Sequence, residues 1–252
     1  MEIGEVPQSL LWRGGQIEHA LPVLGTGHAV LDAALPGHGW PQGGLTEIIH
    51  ANCGCGELSL LLPALARLGQ ERRRIVMIDP PWIPYPPALR GRGLVLEQLL
   101  LVRTHNPRES LWACRQALCN IAAGAVLAWP QILSFGEIRT LQLAAKERRN
   151  TAFVFRQDTA AATPSPAALR LCLTADHDDL LVQVLKCRGP RPVAKIRVQG
   201  LNRVRAPLPG GTDRQRLIPP RVKSSGSSSR SRSSSDNPVV SLATSRIGRP
   251  SL

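Results

Sequence analysis

The chain has 252 residues, 43% of them apolar and 4% aromatic, with a formal net charge of +13. That is enough for one sizeable core built mostly from Leu, Ala, Val and Ile, with extensions. No run of about 18 uncharged apolar residues occurs, so a membrane span is excluded as a reading. The start, MEIGEVPQSLLWRGG, lacks the basic lead and long apolar stretch of a secretion signal, and a cytoplasmic location is expected.

Residues 1–20 form a polar lead with one apolar patch, Leu10, Leu11 and Trp12. Thr26–Leu35 has helical spacing, with Val30, Leu31, Ala34 and Leu35 apolar around Asp32. Pro36–Gly44 holds four Gly and two Pro and reads as a loop. Leu45–His50 is then the first central strand. Glu57–Leu68 is a helix apolar nearly all round, as expected of a buried one. Pro63 should bend it or limit its start, and Arg72–Arg74 suit its C-terminal end.

Ile75–Asp79 is a second buried strand. Pro80–Pro87, PPWIPYPP, reads as a rigid extended loop. Leu99–Arg103 is a third strand. Pro107–Ala122 is a helix, with Pro107 near its start and Leu111, Cys114, Leu118 and Ile121 on its apolar stripe. Ala125–Trp129 is a fourth strand, Phe135–Arg149 a helix with a basic end, and Thr151–Arg156 a fifth strand. Apolar strands alternating with helices imply a parallel sheet covered on both faces. Leu169–Thr174 and Leu180–Cys187 flank a polar turn, Ala175–Asp179, as an antiparallel hairpin. Val193–Val198 adds one more strand.

Periodicity stops after Gly200. Residues 224–235 contain nine Ser, a composition that cannot bury enough apolar area to fold. The expected organisation is an N-terminal arm (1–20), a core (21–202) and a disordered basic tail (203–252). Residues 201–252 carry ten Lys/Arg against two Asp/Glu. Arg203, Arg205, Arg214, Arg216, Arg221 and Lys223 are the candidates there for binding a polyanion or a partner. A solvated tail that keeps the protein soluble is the equal alternative.

The six cysteines include no C-x-x-C pair. Cys53 and Cys55 form C-x-C without a second cluster or a His at zinc-finger spacing, so free thiols are expected and no metal site. The stretch LTEIIHANCGCGELSLLL, Leu45–Leu62, has the outline of a strand, a phosphate loop and a helix. Laid on G-x-x-x-x-G-K-[ST], residues 51–58 keep only Gly56. Ala51 stands for the first Gly, Glu57 for the Lys and Leu58 for the Ser/Thr.

The order of parts resembles the RecA-like recombinase core. A T-G-x-x-x-L-D segment (Thr26, Gly27, Leu31, Asp32) precedes the Gly-rich loop Gly37–Gly44, then the strand, phosphate loop and helix, then a strand ending Ile78-Asp79. More closely, Leu10–Gly15, the loop with Trp40 and Gly43–Gly44, and Glu57–Pro63 look like the ImuA family of RecA-like accessory proteins, which is grouped with the SulA-type cell-division inhibitors. The resemblance to the RecA-like core spans roughly residues 20–200. It implies a role in SOS-induced translesion DNA synthesis beside an inactive Y-family-like partner (ImuB-like) and an error-prone C-family polymerase.

Three departures from the RecA pattern bear on chemistry. Glu57 and Leu58 replace the cation and the magnesium-binding hydroxyl, and a carboxylate there repels a triphosphate. Pro81 stands where the glutamate orienting the attacking water is expected. The strand that should end in a magnesium-linked Asp ends Ala128-Trp129. Phosphoryl transfer needs metal, cation and positioned water together. The expected protein is a pseudo-ATPase without a nucleotide cofactor or catalytic residue. Its degenerate site comprises Ala51, Gly54, Gly56, Glu57, Leu58, Asp79, Pro81 and Trp129. A divergent ATPase and a SulA-type inhibitor are the alternatives.

Other groups carry weaker readings. Glu47, Glu57 and Asp79 are candidate paired carboxylates, though Asp79 is more simply a loop hydrogen-bonding group. Asp176, His177, Asp178 and Asp179 read as a solvated hairpin tip before a metal site. Ser59 and Ser134 lack a partnered His in motif. Trp82, Pro84, Tyr85 and Pro86 are either a contact surface for a base or partner or a rigid lid. Leu10, Leu11 and Trp12 pack either on their own core or, as in RecA-like proteins, on a second subunit.

Overall fold

The computed structural model describes residues 22–51 and 53–201, so the arm with Leu10, Leu11 and Trp12 and the tail from Arg203 to Lys223 lie outside the described residues. Strands β1 (Val23–Leu24) and β2 (Trp40–Pro41) form a small antiparallel ladder. Between them runs helix α1 (Ala29–Ala34). The Gly/Pro segment 36–44 is therefore not all loop. Gly39 lets the turn fold back there, because a Cβ would come 2.6 Å from the Leu24 carbonyl oxygen. Trp40 is fully buried and meets Phe153 edge to face, with ring centroids 5.4 Å apart.

The main sheet has eight strands in the order β10-β9-β8-β3-β7-β6-β4-β5. These are β3 (Leu45–His50), β4 (Arg74–Ile78), β5 (Leu99–Val102), β6 (Ala123–Ala128), β7 (Thr151–Gln157), β8 (Leu169–Asp176), β9 (Asp179–Lys186) and β10 (Ile196–Val198). The six from β8 to β5 pair in parallel, and β9 and β10 add antiparallel at one edge. The fold is thus a mixed, largely parallel α/β sheet flanked by helices α2 (Glu57–Gln70), α3 (Pro86–Gly91), α4 (Pro107–Cys119) and α5 (Phe135–Arg148). Among the described residues no helix is long and apolar enough to cross a membrane.

Side chains alternate across each strand, so near-continuous apolar runs serve two cores. Ile48, Ile75, Met77, Leu127 and Phe153 join one core with α1 and α2. Leu45, Val76, Ile78, Val126 and Val154 join the other with α4 and α5. Each of these side chains is almost fully withdrawn from water, worth about 1.5–3 kcal/mol per large residue before entropy costs. At the β10 side of the sheet, strands β8, β9 and β10 send Leu171, Leu173, Val182, Val184, Ile196 and Val198 to the first core only.

Proline departs twice from the expected pattern. Pro63 lies inside α2, whose 14 residues continue past it to Gln70. Its ring packs where a Cβ on Gly27 would sit only 2.3 Å away, so Gly27 (φ +81°) is the residue that lets α1 approach α2. Asp32 caps the same corner by accepting the Thr26 amide at 2.8 Å. Pro86 and Pro87 are not extended loop but the first residues of α3, positions whose missing N–H would be unpaired anyway. Ile121 is likewise not on an α4 stripe: the helix ends at Cys119 and Ile121 is exposed. The last strand is shorter than expected, Ile196–Val198, and the hairpin turn is two residues, His177 and Asp178.

Candidate functional site

β3 delivers the chain to the turn that precedes α2. Gly54 and Gly56 both take positive φ, +86° and +102°, and Gly56 is the residue that caps α2. A Cβ on Gly56 would come 3.0 Å from the Leu201 carbonyl oxygen, so the end of the described chain crosses directly over this turn. The Gly54 amide donates to Glu57 Oε1 at 2.8 Å. Glu57 is buried in the first turn of α2, where a negative charge suits the helix dipole. Leu58 does not face the turn; it packs against the first core. Ala51 is exposed.

The thiols here are poor nucleophiles and poor metal ligands. Burial, with the Glu57 carboxylate beside it, pushes Cys55 up to about 12, and the same two causes raise Cys53. The six cysteines are free thiols. Among the described residues no group of three His, Cys, Asp or Glu side chains is placed to hold a metal ion.

Beyond the C-terminal ends of β3 to β7 lies a cavity of about 570 Å³, in the place where open α/β sheets take ligands. It brings Asp79, Pro81 and Trp129 of the expected site together with Arg103, Ser110 and Arg156. Trp129 stacks flat on Phe155, with centroids 4.2 Å apart and planes 1° apart. Asp79 has left-handed φ (+51°) and accepts both the amide (2.8 Å) and the hydroxyl (2.7 Å) of Thr104. It ties the end of β4 to the segment after β5, which is the loop role the sequence favoured. Ser110 Oγ and Trp129 Nε1 are buried there without a hydrogen-bond partner in the protein. Arg103 is exposed with no ion-pair partner among the described residues. Arg103 is thus an exposed cation of this cavity, whereas the Ser110 and Trp129 polar atoms are closed off from water.

Glu47, Glu57 and Asp79 do not act as paired carboxylates, because each is held by different partners. Glu47, fully buried in β3, accepts from Arg156 on β7 at 2.8 Å and from Arg170 on β8 at 2.5 Å. Register explains this: β3 lies between β7 and β8, and Glu47 is directly opposite Arg170. Arg156 also donates to the Leu133 carbonyl and lines the cavity. Sequence reasoning missed this triad and Ser110. Opposite charges inside apolar strands, Glu47 and Arg170, were the available signal.

The hairpin tip is more structured than a solvated turn. Arg197 on β10 pairs with Asp176 at 2.6 Å and Asp179 at 3.0 Å. The hydrogen bond from His177, then Arg197, holds the Asp176 carboxyl below the usual carboxylate range; for Asp179 the Gly200 amide leads, followed by Arg197. Ser134 is no nucleophile: it caps α5 in a reciprocal box with Glu137. Trp82, Ile83 and Tyr85 are largely exposed rather than folded over the cavity as a lid.

Fold and site together define a largely parallel α/β protein in which the glycine turn between β3 and α2 is hydrogen-bonded by the chain's own carboxylate. No family model matches the chain. It is distantly similar to the cell division inhibitor SulA of Yersinia enterocolitica (serotype O:8 / biotype 1B), 28% identical over 115 residues, which is 46% of this chain and 68% of that protein. Among solved structures it is similar to SulA from Pseudomonas aeruginosa, at 26% identity over 45% of this chain and 97% of that one, with a TM-score of 0.39.

Proposed function

We propose that this chain is a non-catalytic accessory protein of the SOS response, working through protein contacts and not through nucleotide turnover. The observation that carries the reading is the Gly54–Glu57 hydrogen bond. A phosphate loop keeps its backbone amides for phosphate oxygens. Here one such amide is given to a buried carboxylate, in the position where a triphosphate needs a cation. Pro81 and Trp129 at the neighbouring strand ends supply neither a water-orienting carboxylate nor a metal ligand. In this reading the core is a RecA-like pseudo-ATPase, supported by a central β3 leading through the turn into α2 and by the parallel strands beside it. Magnesium-dependent ATP turnover by the purified chain, abolished by changes around Gly56, would overturn it in favour of a divergent ATPase.

In its first form the accessory protein is an ImuA-type adaptor for translesion synthesis. It joins an ImuB-like Y-family-related protein to an error-prone C-family polymerase in the cytoplasm. The basic residues from Arg203 to Lys223 touch DNA or the partner, and Leu10, Leu11 and Trp12 serve self-association. Support comes from the order and spacing of the motifs from Leu10 to Asp79. The test is capture of the ImuB-like protein by the full chain and by a chain lacking residues 201–252; no capture by the full chain overturns this form.

The second form is a SulA-type cell-division inhibitor acting on a tubulin-like polymerising GTPase, favoured by the 28% identity to the Yersinia protein of that name. Filamentous growth on overexpression, with direct inhibition of GTPase polymerisation by the purified chain, supports this form and removes the first. Normal division together with unimpaired polymerisation removes the second.

A further inference from the structure

The rim of the sheet opposite the cavity, where β4, β6 and β7 begin, forms a positively charged edge. Arg72, Arg73 and Arg74 follow α2 and open β4, while Lys146, Arg148 and Arg149 end α5 and lead into β7. These segments are far apart in sequence, and β6 separates their strands in the sheet. Arg73 joins them. Its guanidinium donates to the Ala123 carbonyl at the start of β6 (2.5 Å) and to Asn150 Oδ1 (3.1 Å). Asn150 in turn donates to the Leu118 and Asn120 carbonyls at the end of α4 (2.6 and 2.9 Å). The arginines on either side of Arg73 are thus placed beside the basic end of α5.

Little on this edge neutralises the charge. Its carboxylates, Glu71 and Glu147, pair with Arg67 and Arg148. Arg72, Arg74, Lys146 and Arg149 are exposed and have no ion-pair partner among the described residues. Helix dipoles account for cations in a last turn, such as Arg67, Lys146 and Arg148. Arg72 and Arg74 lie past the end of α2, and Arg149 is the C-cap of α5, where the dipole still acts. Two of them, Arg72 (φ +58°) and Arg149 (φ +55°), hold left-handed positions where glycine is the easy residue. Neither segment contains an aromatic residue, so neither offers a stacking platform for unpaired bases. Clustered exposed cations without such a platform suit the phosphates of a duplex.

We propose that this edge is a docking surface for the sugar-phosphate backbone of duplex nucleic acid, contacted by Arg72, Arg74, Lys146 and Arg149. It belongs to the folded core and is independent of the basic tail and of both readings above.

The test is fluorescence anisotropy of a short labelled DNA duplex with the full chain across a salt series. The edge variant is Arg72→Gly, Arg74→Ser, Lys146→Gln and Arg149→Gly. The control variant, Arg90→Ser, Arg92→Ser, Arg108→Ser and Arg188→Ser, loses the same charge at other exposed positions. Both retain the tail, so its contribution cancels. Each lost phosphate contact lowers the slope of log K against log salt by about 0.9, so the edge variant should lose about 3 to 4 in slope and at least ~10-fold in affinity at low salt. The control should change the slope by less than about 1. Glycine relieves the backbone at residues 72 and 149, so the Arg72→Gly, Arg149→Gly pair, losing about 2 in slope, serves as a second variant that keeps the fold. A parent slope retained by both edge variants overturns the proposal. So does equal loss in edge and control variants, or a parent chain that ignores the duplex and binds phosphatidylserine vesicles.

Discussion

The amide of Gly54 donates to the carboxylate of Glu57, three residues ahead, at 2.8 Å. The hydrogen bond closes the turn between β3 and α2 on itself. Glu57→Ala removes a charge-assisted acceptor from the exposed Gly54 residue, whose amide water can then reach, and should cost about 0.5–1.5 kcal/mol, measured by urea denaturation. Glu57→Gln keeps an acceptor and should cost less than half of that. Equal loss in both would mean that the carboxylate acts through its charge at the helix end alone.

Glu47 is the most demanding buried charge in the described chain. Glu47→Ala leaves Arg156 and Arg170 facing each other in the sheet without an anion, with an expected loss of about 3–5 kcal/mol. Replacing all three by apolar residues of similar volume should recover most of it. A triple variant no more stable than the single one would show that packing, and not the uncompensated charge, sets the cost.

Thiol reactivity should follow burial. Cys114 is pushed up to about 12 by burial, helped by the nearby Asp79 carboxylate, and Cys55 to about 12 by burial and Glu57. Native protein treated with iodoacetamide at about pH 8, just below the ordinary free-thiol range, should label Cys53, which is exposed, before either of them. Peptide mass spectrometry reads the order. Full labelling of Cys114 at a rate matching that in denaturant would contradict its place on the buried face of α4.

The hairpin tip should weaken in acid. The carboxyls of Asp176 and Asp179 are depressed in the folded state, so their contribution is complete above the unfolded carboxylate range near about 3.9. It is lost as pH falls through their lower folded values. Carboxyl NMR titration should show both midpoints below those of free aspartate, moving up in Arg197→Ala. Unchanged midpoints in that variant would leave Arg197 without an electrostatic role there.

Arg149 is a strained C-cap whose cation favours the helix end. Arg149→Gly gains about 1 kcal/mol from the left-handed backbone and loses about 0.3–1 kcal/mol of dipole interaction, so stability should equal the parent's or exceed it by up to about 0.7 kcal/mol. A β-branched residue pays the strain in full, and Arg149→Val should melt measurably lower. The comparison is made by thermal denaturation.

The sequence by itself determined the alternation of apolar strands and helices, and with it a parallel sheet with a core on each face. Periodicity is local, and Leu45–His50, Ile75–Ile78 and Thr151–Arg156 announce themselves by composition alone. The hairpin β8–β9 was legible for the same reason, as was the replacement of the phosphate-loop Lys by Glu57. Proline was misread at 86 and 87, because the same residue that excludes a helix interior favours a helix start, and only the turn geometry separates the two.

What the tertiary structure decided was partnership. Glu47 meets Arg156 and Arg170 because strand order sets β3 between β7 and β8, and strand order is a long-range choice that no window of residues contains. Asp79 finds Thr104, and Trp129 finds Phe155, through neighbouring parallel strands whose crossovers separate them in sequence. The basic edge arises when Arg73 meets Asn150, since two modest charge clusters become one surface only after β4 and β7 are fixed on either side of β6.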